Sequence, residues 1–282
     1  MLKLEKIKKT YGNFLLEESF EVKKDEVVGL LGRNGVGKST TFRMILGLTP
    51  IDEGKIEIFN DDVNVISSQI KERIGVTFPD SFFSKEFTII DLIKILQATY
   101  TNFDKQQFSQ AIISSHLPLD KKIKNFSTGM LAKLKLLVAM SHQADLLLLD
   151  EPTAGMDVIA RNEILSMIQK YLMNEQRSIL ISSHIASDLE KITDRIVVLN
   201  DGKIVLQEQT QKIMDEYGVI SVSDRLLKTI DPDYIITSVT EGGVHKLLTN
   251  TREYYEENYP TLSIEKASLD DIVLFMSKGD KI

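Results

Sequence analysis

Three groups of residues have types and spacings that could do chemistry. The first is Gly32-Arg33-Asn34-Gly35-Val36-Gly37-Lys38-Ser39-Thr40, in which a glycine is followed four residues later by Gly-Lys-Ser. Glycines let successive backbone N–H groups wrap around a phosphate, a lysine in that place puts a cation on the β and γ oxygens, and the serine hydroxyl ligates Mg²⁺. A helix starting there adds its positive end. Such a loop binds a nucleotide, but it does not separate an ATPase from a GTPase or a small-molecule kinase.

The second group is the apolar run Leu146-Leu147-Leu148-Leu149 ending in Asp150-Glu151. Two carboxylates at the end of a buried strand are costly unless a cation meets them, and Mg²⁺ is the obvious one. Successive residues leaving a strand point in opposite directions, so one carboxylate can serve the metal while the other faces the water that attacks the γ-phosphate. The alternative is an acidic pair favouring the start of the next helix. The third group is Ile179-Leu180-Ile181-Ser182-Ser183 leading to His184. An imidazole at the C-terminal edge of a strand lies where α/β folds bind ligands, and it could bond the γ-phosphate or orient the water. Taken alone, such a residue is more often a satisfied structural histidine. His116, His142 and His245 have no comparable setting.

These residues need elements to hold them. Residues 27–31 form a continuous apolar run into the glycine loop, and 39–48 have helical character, which predicts strand, loop, helix. Further strands are predicted at 55–59, 74–78, 146–149, 178–182 and 196–199, with helical patterns such as 158–173 between them, so the core is α/β. Residues 2–8 and 14–22, joined by a turn at Tyr11-Gly12-Asn13, predict antiparallel strands. From 82 to about 140 there is no strand pattern, and Ile89, Ile90, Leu92, Ile93 and Leu96, then Phe108, Ala111 and Ile112, predict an inserted helical subdomain. Asn200-Asp201-Gly202 predicts a hairpin that closes the core on an exposed strand pair. From 219 onward the pattern is strand, helix, strand, a turn at Gly242-Gly243, strand, helix at 251–258, strand at 262–265 and a last helix from Ser268, with Asp270 and Asp271 in its first turn. The expected division is a nucleotide-binding domain over 1–210 and an α+β extension over 211–282.

Composition narrows the class. The 282 residues are 43% hydrophobic, enough for a large core, and the net charge of -7 argues against a sequence-independent nucleic-acid binder. The absence of cysteine removes disulfides, cysteine-ligated metals and thiolate catalysis. No run of apolar residues is long enough to span a bilayer, and the start MLKLEKIKK has no signal-peptide segment, so any membrane role is expected to come through a partner.

Before the acidic strand stands Asn125-Phe126-Ser127-Thr128-Gly129-Met130-Leu131-Ala132-Lys133-Leu134. Ser127 suits an N-cap, Leu131, Leu134, Val138 and Ser141 continue at helical spacing, and Gly129 leaves N–H groups open to an anion. Here the sequence resembles the ATPase subunits of ABC transporters, whose signature motif occupies this place. The resemblance implies an α/β P-loop NTPase core of the ABC ATPase type with an antiparallel β subdomain, an inserted helical subdomain and a small C-terminal α+β extension. It implies that Ser127, Thr128, Gly129 and Met130 cap the ATP of a second ATPase subunit, identical or a paralogue, while Asn34 to Thr40 hold the phosphates. It also implies adenine stacking on Tyr11, Mg²⁺ near Ser39, Asp150 and Asp80, catalysis by Lys38, Glu151 and His184, and nucleotide contact by Asp157 in the loop Ala154-Gly155-Met156-Asp157. The alternative roles are packing of a hairpin by Tyr11 and capping of helices by Asp80 and Asp157.

The pattern departs from the commonest one in reading Phe-Ser-Thr-Gly-Met for Leu-Ser-Gly-Gly-Gln and Asp80 for glutamine, a carboxylate of shorter reach and different charge. The Ser-x-Gly-Met form, Glu151-Pro152-Thr153-Ala154-Gly155-Met156-Asp157, Phe87-Thr88-Ile89-Ile90-Asp91-Leu92 and Tyr100-Thr101-Asn102-Phe103-Asp104 are similar to the ABC-2 exporter branch, whose members export antimicrobial peptides and antibiotics. Residues 267–273 are similar to the C-terminal segment of that branch. The resemblance therefore implies a peripheral protein on the cytoplasmic face of the membrane, partnered by an integral-membrane permease that touches residues 82–100. A non-transport ABC ATPase of DNA repair or translation is the alternative. A small-molecule kinase would leave Ser127 to Met130 unexplained.

Overall fold

The computed structural model describes all residues except 63–65, 81–82, 174–176 and 281–282. Ten strands make one curled sheet: β1 (Leu2–Tyr11), β2 (Phe14–Val22), β3 (Val27–Leu31), β4 (Glu53–Ile58), β5 (Asp61–Asp62), β6 (Ile74–Thr77), β7 (Leu146–Leu149), β8 (Ser178–Ser183), β9 (Arg195–Asn200) and β10 (Lys203–Gln209). Among and after them run the helices α1 (Lys38–Ile45), α2 (Ser68–Lys71), α3 (Ile89–Thr99), α4 (Lys105–Ser114), α5 (Thr128–Met140), α6 (Val158–Leu172), α7 (Ala186–Leu189) and α8 (Thr210–Glu216).

The strand order is β5-β4-β1-β2-β10-β9-β3-β8-β7-β6. β9, β3, β8, β7 and β6 are parallel to their neighbours within that group, and β1 pairs antiparallel with both β2 and β4. Every residue of β3, β7 and β8 is buried, which is why these strands read as continuous apolar runs: one face packs on helices such as α6, the other on α1 and the strands β1, β2 and β4. The candidate residues Gly32 to Ser39, Asp150, Glu151 and His184 follow the C-terminal ends of these three strands.

The 200–202 turn joins β9 to β10, and the pair is exposed on one strand only: β10 alternates exposed and half-buried residues. Ile196 to Leu199 are buried, and β10 lies inside the sheet between β9 and β2. Gly202 sits at φ 75°, its carbonyl accepts the Glu17 N–H at 2.7 Å, and a Cβ there would lie 2.0 Å from the Leu15 carbonyl oxygen. The turn is thus docked against β2. Local hairpin chemistry cannot reveal such a neighbour, because it specifies the turn and not what the turn meets.

Position 82, the expected start of the helical subdomain, lies outside the described residues. Among the described residues from 83 to 140 there is no strand. Thr88 and Asp91 form a capping box on α3, and Asp104 caps α4 by accepting the Gln107 N–H at 2.9 Å. The apolar stripes predicted here meet each other: Ile89, Leu92, Ile93, Leu96, Phe108 and Ile112 share a core with Leu134 and Leu137 of α5.

The C-terminal region forms an antiparallel sheet from β11 (Gly218–Val222), β12 (Ile235–Glu241), β13 (Val244–Thr249) and β14 (Ser263–Lys266), in the order β12-β13-β11-β14. With it go α9 (Asp224–Leu227), α10 (Arg252–Asn258) and α11 (Leu269–Lys278). Ser268 and Asp271 make a capping box on α11, whose face Leu269, Ile272 and Phe275 enters the same core as Leu189, Ile196 and Val198. α8, which the sequence pattern did not reveal, begins at Thr210 and also buries Ile213 in that core.

Candidate active site

The phosphate loop leaves β3 at Gly32 and enters α1 at Lys38. Glycine is required at two of its positions for different reasons. A Cβ on Gly32 would lie 2.5 Å from the Leu199 carbonyl oxygen, and Gly37 has φ 117° with Leu16 packed against it. Arg33, Asn34, Gly35 and Ser39 are exposed, Thr40 is half-buried, and Val36 anchors the loop in the core.

Lys38 is buried, and its Nζ donates to the carbonyl oxygens of Gly32 at 2.7 Å and Arg33 at 3.2 Å. It also stands 3.1 Å from Glu151 Oε1. The other oxygen, Glu151 Oε2, is 2.6 Å from His184 Nδ1. The ends of β3, β7 and β8 therefore bring the phosphate-loop lysine, the second carboxylate and the histidine into one line. Glu151 has φ 48°, a conformation that side chains other than glycine rarely take. Its N–H donates to Ser182 Oγ at 2.9 Å, which secures the turn.

Asp150 is 1% exposed, and its Oδ1 accepts from Ser182 Oγ at 2.7 Å, while Oδ2 has no hydrogen-bond partner. Burial raises its pKa, while the bond from Ser182 opposes that shift. A buried carboxylate oxygen without a partner, beside a serine hydroxyl, suits a hard divalent cation. Ser39 and Asp150 line one recess of about 350 Å³, and Asp80 lines it too. Asp80 is mostly exposed, with its Oδ2 4.0 Å from Arg43 Nη2, so it stands at the mouth of the recess rather than capping a helix. Ser39 and Asp150 fit Mg²⁺, whose remaining ligands would be phosphate oxygens and water.

The other expected residues lie farther out. Tyr11 is half-exposed at the tip of the β1–β2 hairpin, with Lys9 Nζ 5.7 Å from its ring centre; Leu16 of the same hairpin touches the phosphate loop at Gly37. Ser127 N-caps α5 by accepting the Met130 N–H at 3.3 Å. Ser127 and Thr128 are exposed, and Gly129 and Met130 are half-buried. None of these four lines the recess of Ser39 and Asp150, although Thr128 shares a narrower one with Asp150 and Glu151. Asp157 caps α6, its Oδ1 accepting the Ala160 N–H at 2.9 Å.

Two contributors escaped the sequence reading. Ser182 bonds both acidic residues, and its only signal was a polar residue at the end of an apolar strand. Lys135 of α5 donates to the carbonyl oxygens of Phe78 at 2.9 Å and Pro79 at 2.6 Å, directly before Asp80. Burial lowers its pKa, opposed by the charge of Asp80. A cavity of about 700 Å³ lies away from this chemistry, between α4, α5 and α6.

Residues 15–154 match the ABC transporter family. The chain is 31% identical over 225 residues to the ABC transporter ATP-binding protein YtrB of Bacillus subtilis (strain 168), covering 79% of this chain and 77% of the relative. It is 32% identical over 259 residues to the linearmycin resistance ATP-binding protein LnrL of the same organism, covering 88% and 83%. A solved dimeric ATP-binding cassette, MJ0796 bound to ADP and Pi, shares the fold with TM-score 0.66 at 21% identity, covering 74% of this chain and 99% of that one. A phosphate loop, an acidic strand end and a histidine converge on one point in this fold, and the chain belongs to the ATP-binding subunits of the ABC transporter family.

Proposed function

We propose that two copies of this chain, or this chain and a paralogue, enclose two MgATP and use their hydrolysis to drive a separate permease that exports peptide or antibiotic compounds. The observation that carries the reading is Glu151, with one oxygen 3.1 Å from Lys38 and the other 2.6 Å from His184. A carboxylate so placed can polarise a water for attack on a phosphate held by Lys38 and the loop amides, and His184 can position that water or the γ-phosphate. Mg²⁺ held by Ser39 and Asp150 would neutralise charge on the phosphate oxygens.

The start of α5, exposed at Ser127 and Thr128, suits a second chain's nucleotide, because a helix N-terminus favours an anion. Tyr11 would stack on adenine and Asp157 would contact the partner's side of the nucleotide. The reading divides the chain into a nucleotide-binding domain over 1–210, with a helical subdomain near 82–140, and an extension over 211–282. Among the described residues no helix is long and apolar enough to cross a membrane, so the permease is a separate chain or region. Attachment would be peripheral, on the cytoplasmic face, where ATP is. The linearmycin-resistance relative is the support for an antibiotic-like cargo.

Glu151→Gln tests the chemistry. ATP binding and ATP-dependent dimerisation should persist while turnover falls at least ~100-fold, the scale of a lost general base. Wild-type turnover would remove Glu151 from this role. Stimulation of turnover by candidate compounds, in vesicles that carry the co-purified permease, identifies the cargo class.

A further inference from the structure

β2 presents Leu16, Glu18, Phe20 and Val22 to the interior, so one carboxyl group stands in an otherwise apolar row. Glu18 is 1% exposed, and its Oε1 lies 2.5 Å from the hydroxyl of Thr41, which is 0% exposed. Thr41 belongs to the first turns of α1, directly behind the phosphate loop. Its Oγ1 is also 3.2 Å from the carbonyl oxygen of Gly37, the loop residue before Lys38, and that carbonyl accepts the Thr41 N–H at 3.0 Å. The second oxygen of Glu18 has no hydrogen-bond partner.

An ionised carboxylate in this place would leave a charged oxygen buried and unpaired, whereas a neutral acid leaves only a carbonyl oxygen so. Burial accordingly raises the pKa of Glu18 to about 8, with the Thr41 bond opposing. A neutral acid is also a donor. Its O–H can point at Thr41 Oγ1, which frees the threonine proton for the Gly37 carbonyl and makes a chain of two bonds that ends on the loop.

We propose that Glu18 is a positioning residue for ATP: as a neutral acid it directs the Thr41 hydroxyl onto the Gly37 carbonyl and so holds the phosphate loop in its binding shape. Leu16, two residues earlier on the same inward face, also packs against Gly37. β2 therefore fixes this one loop residue by a contact and by a hydrogen-bonded relay. Packing alone gives no reason for an acid here, since a leucine or valine would bury at lower cost.

The test uses the full chain and four variants, Glu18→Gln, Glu18→Leu, Thr41→Val and Thr41→Ser, with equilibrium ATP binding and the KM and kcat of turnover measured for each. Glu18→Gln keeps an N–H donor toward Thr41 and Thr41→Ser keeps the hydroxyl, so both should stay close to the wild type. Glu18→Leu and Thr41→Val break the relay, and KM should rise about five- to tenfold, the scale of one or two lost hydrogen bonds, with kcat at saturating ATP little changed. Glu18→Leu and Thr41→Val binding ATP as the wild type does would overturn the proposal and leave Glu18 as a buried acid without a task. Should Glu18→Leu fail to fold, Thr41→Val against Thr41→Ser decides alone. The inference rests on reading Gly32 to Ser39 as the ATP loop; a wild type that binds no ATP would refute that reading, whereas equal binding by all five proteins would refute this inference only.

Discussion

Ser182 shows how one side chain can set two others. Its Oγ donates to Asp150 and accepts the Glu151 N–H, so it controls both the direction of the carboxylate proposed to face Mg²⁺ and the strained backbone that aims its neighbour. Ser182→Ala should lower kcat about tenfold and raise the Mg²⁺ concentration needed for half-maximal turnover, since two buried groups lose a partner; a Mg²⁺ titration of turnover reads both effects. Glu18 sets a pH dependence. Its pKa in the folded chain is about 8, against an ordinary 4.5, so between these values the folded state keeps a proton that the unfolded state releases. Its contribution is full below 4.5 and is lost as pH rises through about 8, on the order of a few kcal/mol. Asp150, raised by burial, slopes the same way, so urea midpoints compared at pH 6 and pH 9 should fall with pH in the wild type and fall less in Glu18→Gln. Gly32 to Ser39, Asp150-Glu151 and His184 were readable because each is a local pattern. Ser182 and Glu18 were not, because their partners lie 32 and 23 residues away, and a polar residue in an apolar strand does not say what it bonds.

Among the elements, α5 reaches both ways. Its N-terminal turn is the exposed signature start, while Lys135, in its second half, is fastened to the two carbonyls that end the β6 segment before Asp80. A movement of the helical subdomain would therefore be passed to the recess that holds Ser39 and Asp150 through one ammonium group. Lys135→Met keeps the stem and removes the charge. It should cost about 1–3 kcal/mol of stability, the scale of orphaned buried carbonyls, and lower kcat more than ATP affinity, while Lys135→Arg restores part of both. Thermal melting and steady-state turnover on the same preparations separate these effects. Spacing was enough to find α3, α4, α5 and α6, because each carries an apolar stripe several turns long. It was not enough for α8, whose seven residues bury only Thr210 and Ile213 and have no side-chain cap at the start.

At the scale of the whole molecule, the C-terminal elements were read almost in full, yet their docking was not. Capping at Ser268 and Asp271 and the turn at Gly242-Gly243 are local signals, whereas the seat of α11 against β9 and α7 depends on surfaces brought together from residues 186 to 275. The Leu269 N–H donates to Glu190 Oε1 at 3.0 Å, and Asn200 Nδ2 reaches the Met276 carbonyl at 3.4 Å, so polar bonds flank the apolar contact. A helix held this way should unfold with the parallel strands that bear the active site, not before them. Phe275 tests this because it is 1% exposed and lies in the core shared with Ile196 and Val198. Phe275→Ala should remove about 3–5 kcal/mol, as expected for deleting a buried aromatic side chain. Calorimetry should show one transition for both proteins, moved to lower temperature in the variant. Two transitions, of which only one moves, would mean that the extension folds apart from the nucleotide-binding core. ATP should then raise the melting temperature of the single wild-type transition, carrying α11 with it, because a ligand that binds only the folded state stabilises everything that unfolds in the same step.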